Sequence, residues 1–204
     1  MRKITIMEHI SLDGVVQSPG GRKEDEDGNF THGGWSMRFS DDIIGKAIVT
    51  AHDRSFDLLL GRHTYNIWAA FWPTVHEGTI ANSFNAATKY VATHRPDSLR
   101  WGPVKDLGAD IVEGIRRVKA TEGPDLLLWG SSTLTPVLLE NGLADEIILI
   151  VYPVLLGKGK RFFSDNAYPQ EFALVDTKIG ATDVIMNTYR YVRALPTESG
   201  EVKG

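Results

Sequence analysis

Phe56-Asp57-Leu58-Leu59-Leu60-Gly61-Arg62-His63-Thr64-Tyr65 is the stretch on which the fold turns. Leu58 to Leu60 has the length and continuous apolarity of a strand buried on both faces. Gly61 allows a sharp turn and leaves no side chain between the backbone and a ligand. The polar segment after it opens a helix, whose first N–H groups have no internal partner and lie at the positive end of its dipole. That arrangement attracts phosphate. Arg62 adds a fork of donors suited to phosphate oxygens, and Thr64 adds a hydroxyl. The same string also reads as an ordinary strand-to-helix turn with a solvated arginine.

A second junction of this kind lies downstream. Leu126-Leu127-Leu128-Trp129 is another short apolar run, followed by Gly130-Ser131-Ser132-Thr133 and then by Leu134, Val137 and Leu138 at helical spacing. Two strand–glycine–helix junctions suit a diphosphate-bearing cofactor lying across the carboxyl ends of parallel strands. Neither is a G-x-G-x-x-G, so the standard dinucleotide fingerprint is absent. Ser131 or Ser132 alone also reads as a helix N-cap.

Gly61-Arg62-His63-Thr64-Tyr65 after an apolar strand resembles a motif of dihydrofolate reductases. Ser11-Leu12-Asp13-Gly14, Gly142-Leu143-Ala144-Asp145-Glu146 and Pro153-Val154-Leu155-Leu156-Gly157-Lys158-Gly159 are more similar to the sister group, the RibD-like C-terminal reductase domain of riboflavin biosynthesis. The match runs from about Lys3 to Tyr191, and the order and spacing of the motifs carry it. The resemblance implies a dihydrofolate reductase-like α/β fold of three layers, with a mostly parallel sheet and antiparallel C-terminal edge strands. It also implies an NADPH-dependent reductase that transfers hydride to a pyrimidine- or pteridine-like compound, such as 5-amino-6-(5-phosphoribosylamino)uracil. A nucleotide-binding protein without turnover on the same scaffold is the alternative.

Composition narrows the choices. The chain has 204 residues, enough for one domain with a substantial core. Its net charge of −4 and the lack of any Lys/Arg run argue against nucleic acid and anionic membranes as partners. There are no cysteines, hence no disulfide framework, Cys-zinc site or thiol nucleophile; this fits a cytoplasmic protein. No apolar run approaches membrane-spanning length, and Glu8-His9 interrupts any signal-peptide core.

In chain order, residues 3–12 read as a strand with Ile4, Ile6, Ile10 and Leu12 on one face. Residues 15–36 form a long loop, in which Trp35 among glycines reads either as a cover for ligand or as an ordinary loop aromatic. Asp41 and Asp42 open a helix carrying Ile43, Ile44, Ala47 and Ile48. Helices through Tyr65–Phe71 and Ile80–Ala87, a strand at Lys89–Thr93 and a helix at Asp110–Lys119 follow. Glu146–Tyr152 is a strongly apolar strand. Phe172–Lys178 and Val184–Arg193 read as a closing antiparallel pair around Gly180. Residues 1–195 are expected to form one domain, and 196–204 a flexible tail.

No metal site stands out, because the six histidines are scattered and none forms His-Glu-x-x-His. Trp129-Gly130-Ser131-Ser132-Thr133 lacks the second glycine of a hydrolase elbow. The resemblance places cofactor on Leu60, Gly61, Arg62, His63 and Thr64 and on Gly130, Ser131, Ser132, Thr133 and Leu134. Thr93, His94 and Arg95 would face its 2′-phosphate. Asp13 and Asp41 are the carboxylates expected to serve catalysis, with Asp13, Trp35 and Asp41 around the substrate. Asp13 also reads as a turn residue before Gly14, and Asp41 as a helix start. Leu149, Val151, Tyr152 and Val154 are candidates for the surface of a homodimer.

Overall fold

The computed structural model describes residues 1–163 and 169–195, so the expected tail at 196–204 lies outside the described residues. Eight strands form one sheet: β1 (Ile4–Ser11), β2 (Phe56–Gly61), β3 (Lys89–Ala92), β4 (Val104–Asp106), β5 (Asp125–Trp129), β6 (Glu146–Tyr152), β7 (Gln170–Ile179) and β8 (Ile185–Ala194). Their spatial order is β4-β3-β2-β5-β1-β6-β8-β7. The first six run parallel; β8 pairs antiparallel with β6, and β7 antiparallel with β8. The three-residue β4 carries too little pattern to be legible in sequence.

Helices cover both faces. α1 (Asp42–Ala51), α2 (Arg62–Phe71) and α3 (Thr79–Ala86) pack on one side, through Ile44, Tyr65 and Phe84. α4 (Ile111–Ala120) and α5 (Leu134–Glu140) pack on the other, through Ile115, Val118, Leu134 and Leu138. This is the expected three-layer α/β fold. Because β2 and β5 are covered on both faces, they read as continuous apolar runs rather than as alternating ones.

The amino ends of the central strands are pinned by ion pairs. Arg2 reaches Asp57 across the start of the sheet, and both side chains are buried. Asp145 accepts the Ile4 N–H at 2.7 Å and also pairs with Lys119. The Asp-Glu motif before β6 is therefore a strand anchor.

Two of the aspartates expected at the active site are spent on the scaffold. Asp13 accepts the N–H groups of Leu156 and Gly157, at 3.1 and 2.7 Å, and the Ser11 hydroxyl at 2.7 Å. It thereby ties the Ser11–Gly14 motif to the loop after β6. Asp41 caps α1 by accepting the N–H groups of Ile43 and Ile44, and its other oxygen accepts Thr182 N–H and hydroxyl. Trp35, in turn, is buried; its indole N–H donates to the Gln17 carbonyl at 2.8 Å, and its ring meets Tyr152 edge-on. Tyr152 and Val154 are likewise buried in this core, whereas Leu149 and Val151 are half-buried. Sequence spacing places such residues near a site but leaves open where their side chains point.

Two outcomes follow from this packing. Gly114 lies in α4, where a Cβ would stand 2.0 Å from the Leu107 carbonyl oxygen. Alanine is the better helix former by about 1 kcal/mol, yet Gly114→Ala is expected to destabilise the protein by about 1–3 kcal/mol through overpacking, read from urea unfolding. For Asp13, partial burial works to raise its pKa, but the Ser11 hydroxyl and the two backbone N–H groups outweigh it and hold it at about 2. A depressed carboxylate stabilises the fold above its unfolded pKa of about 4 and loses that contribution as pH falls toward the folded value. Asp13→Asn should therefore lower the unfolding midpoint at pH 7, and the gap from wild type should shrink as pH drops from 4 toward 2.

Candidate active site

Because β5 inserts between β2 and β1, the two glycine junctions lie side by side at the carboxyl ends of neighbouring parallel strands. They are bonded to each other. Gly61 N–H donates to Ser131 Oγ at 2.9 Å, and Ser131 N–H donates to Thr64 Oγ1 at 2.8 Å. Gly130 and Ser131 both take left-handed backbone, with φ of 72° and 55°. A Cβ on Gly130 would lie 3.0 Å from Thr64, so glycine there permits the close approach of the two turns.

Gly61 behaves differently from expectation. Its φ of −72° is ordinary, so the turn does not demand glycine. A Cβ there would meet Thr133 and Ser131 at 3.5–3.6 Å, which is normal contact. What the missing side chain leaves is open backbone facing a cavity of about 240 Å³. No side chain caps the first turn of α2. The α2 N–H groups and the hydroxyls of Thr64, Ser131, Ser132 and Thr133 thus offer donors to an anion, and they fit the diphosphate of a nucleotide cofactor. Leu60 and Leu134 support this floor from the two hydrophobic cores.

Arg62 leads away from the cavity toward the end of β3. Its guanidinium donates to Thr93 Oγ1 at 3.1 Å and to the Arg95 carbonyl at 3.0 Å, while its Nε donates to Asn66 at 2.8 Å. Arg62, Thr93 and Arg95 therefore form one cationic corner, with exposed His94 on the same turn.

The roof of the cavity is the loop after β1: Gln17, Ser18, Pro19, Gly20, Glu24 and Asp25 line it. Lys160 fixes the roof by pairing with Asp25 and Asp27, at 2.6 and 2.8 Å. His63 Nε2 donates to the Glu24 carbonyl at 3.2 Å and fastens the roof to α2. One wall is aromatic. Trp68 stacks on Phe84 with ring centres 4.7 Å apart, Trp72 meets Phe84 edge-on, and Trp129 stacks on His9. Asp13, Trp35 and Asp41 are not among the lining residues.

The remaining wall is β1 itself. Its pairing with β5 ends at Met7 opposite Trp129, whereas its pairing with β6 continues to Ser11 opposite Tyr152. β5 turns away at Gly130, so Glu8 and His9 border the cavity. Glu8 is 2% exposed and accepts the Thr135 hydroxyl at 3.3 Å. Burial pushes its pKa well up, and nearby Glu24 adds to this against the lowering effects of Thr135 and the Gly130 backbone. His9 Nδ1 lies 2.8 Å from the Tyr152 hydroxyl, and burial lowers the His9 pKa to about 4, so the ring is neutral at pH 7. Burial also raises the Tyr152 phenol to about 12. Sequence reading passed over Glu8. Its signal is a glutamate in the period-two series Ile4, Ile6, Glu8, Ile10, where an apolar residue is expected. Among the described residues, no group of three or more His, Cys, Asp or Glu side chains is placed to hold a metal ion.

A sequence model of the family described as RibD C-terminal domain matches residues 2–186. The chain is 26% identical over 196 residues to the Uncharacterized protein YwjB of Bacillus subtilis (strain 168), covering 95% of this chain and 99% of that one. Among solved structures, it is similar to a pyrimidine reductase-like protein from Corynebacterium diphtheriae NCTC, with a TM-score of 0.63 and 11% identity over 94% of this chain and 92% of that one. It is also similar to dihydrofolate reductase from Enterococcus faecalis complexed with NADP(H), with a TM-score of 0.57 and 14% identity over 93% and 96% of the two chains. At such identities the solved structures speak for the fold, and the family match speaks for descent. The chain belongs to the RibD C-terminal domain family.

Proposed function

We propose that this protein is an NADPH-dependent reductase that transfers hydride to a pyrimidine- or pteridine-like compound, of the class of 5-amino-6-(5-phosphoribosylamino)uracil. The observation that carries the reading is the cross-bonded pair of junctions, with the Gly61 backbone open to the cavity. In this reading the diphosphate lies on the first turn of α2 and beside Gly130–Thr133. The 2′-phosphate meets Arg62 and the Thr93–Arg95 turn, where guanidinium favours a phosphate over a hydroxyl. A bound nicotinamide supplies the hydride; this chain contributes position, exclusion of water and polar groups at the β1 edge. A flat heteroaromatic substrate suits the wall of Trp68, Trp72, Phe84 and Trp129. A cytoplasmic homodimer belongs to the same proposal.

A second reading, nucleotide binding without turnover, draws on the structural use of Asp13 and Asp41. NADPH oxidation in the presence of candidate pyrimidines separates the two: tight binding with no oxidation for any of them favours the second.

Titration of tryptophan fluorescence with NADPH and NADH tests the cofactor site, with a micromolar Kd for NADPH expected. Gly61→Ala should weaken NADPH binding by tenfold or more while changing stability by less than about 1 kcal/mol, because the added methyl fits the protein but occupies the ligand's space. Arg62→Ala should weaken NADPH more than NADH and so narrow the preference between them. Failure of the wild-type protein to bind either nucleotide would remove the reading.

A further inference from the structure

Reduction of a C=N or C=O group needs a proton as well as a hydride. The ionisable groups around the cavity can be taken in turn. Glu24 accepts the N–H groups of Gly20 and Gly21, at 2.8 and 2.9 Å. Asp25 is held by Lys160 and by Gln17. Lys160 is shared between Asp25 and Asp27. His63 donates to the Glu24 carbonyl, and His9 is a neutral ring bonded to Tyr152. Each of these is committed to holding roof or wall in place.

Glu8 is not. Its carboxyl meets the Thr135 hydroxyl at 3.3 Å and the Gly130 backbone, and no charged partner holds it. It sits at the point where β5 leaves β1, beside the Gly130 turn, and lines the cavity. A buried carboxyl without a charged partner is costly for a strand whose neighbouring positions on that face, Ile6 and Ile10, are both apolar. Glutamine or leucine would serve packing better.

We propose that Glu8 is the proton donor of this cavity, passing its carboxyl proton to the nitrogen or oxygen of the C=N or C=O group that is reduced there. The proposal rests on the reductase reading. The substrate carbon gains the hydride of a dihydronicotinamide, and the π pair of the C=N or C=O bond moves to the heteroatom. That atom forms its new bond to hydrogen as the Glu8 O–H bond breaks. The substrate gains two electrons, the dihydronicotinamide is oxidised, and the carboxylate left on Glu8 regains a proton from solvent. The groups facing Glu8 suit this role. The Thr135 hydroxyl and the Gly130 backbone flank it, its strand neighbour His9 is uncharged, Lys160 is neutralised by two aspartates, and Glu24 opposes ionisation. These surroundings favour the protonated carboxyl over the carboxylate, which is the direction a catalytic acid needs.

Glu8→Gln, a near-isostere that keeps hydrogen-bonding capacity but has no proton to give, tests the assignment in three ways. The first is stability. A carboxyl whose folded pKa exceeds its unfolded value favours folding least at high pH. Urea midpoints should therefore be close for the two proteins at pH 4, and the variant should be the more stable at pH 8. The second is spectroscopic: in protein labelled with [13C]glutamate at Cδ, the one carboxyl resonance missing from the variant should remain that of a protonated acid at pH 7. The third is turnover of 7,8-dihydrofolate as a C=N probe with NADPH, expected to fall roughly 10²–10⁴-fold in kcat with the NADPH Kd unchanged. A Glu8 resonance ionised at pH 7, a variant less stable at every pH, or wild-type turnover by the variant would overturn the proposal. Loss of NADPH binding in both proteins would instead defeat the reductase reading itself.

Discussion

The exchange of two hydrogen bonds between Gly61, Ser131 and Thr64 is the constraint on which the cavity depends. It is possible only because β5 returns to lie between β1 and β2 instead of extending the sheet at its edge. Parallel pairing then brings two strand ends to the same height, and each turns into a helix within a few residues. A serine in left-handed conformation supplies both halves of the exchange, accepting with its side chain and donating with its backbone.

The rest of the molecule holds that floor level. Arg2–Asp57 ties down the opposite end of β2, and Asp145, paired with Lys119, holds the start of β1. Asp13 links the end of β1 to the loop after β6, and Lys160 from that loop pins the roof through Asp25 and Asp27. The motifs carrying the family likeness, Ser11–Gly14 and Pro153–Gly159, are thus bonded to each other. Their carboxylate, Asp13, organises backbone. A carboxylate satisfied by several N–H groups is a poor proton donor, since those bonds favour its charged form.

Glu8 is in the opposite situation. Burial outweighs the Thr135 hydroxyl and the Gly130 backbone there and favours the neutral acid. The two carboxyl groups stand five residues apart on and just after one strand, yet their surroundings push their proton affinities in opposite directions. Divergence of that kind separates a structural carboxylate from one poised for acid chemistry.

The layers, the parallel sheet and both glycine junctions were legible in the sequence alone. They rest on local rules: apolar runs of strand length, helical stripes, and glycine or aspartate at element ends. Arg62, Thr93 and Arg95 were singled out through the family resemblance, and parallel pairing of β2 with β3 brings their strand ends together. Which carboxylate faces the cavity was not. Asp13, Asp41 and Trp35 occupy the expected segments, but their side chains are claimed by partners distant in sequence, at Leu156, Thr182 and Gln17. Glu8 became a candidate only when β5 was seen to leave β1 one residue before it. Strand register and the direction of a side chain are set by contacts between distant segments, and only the tertiary structure decides them.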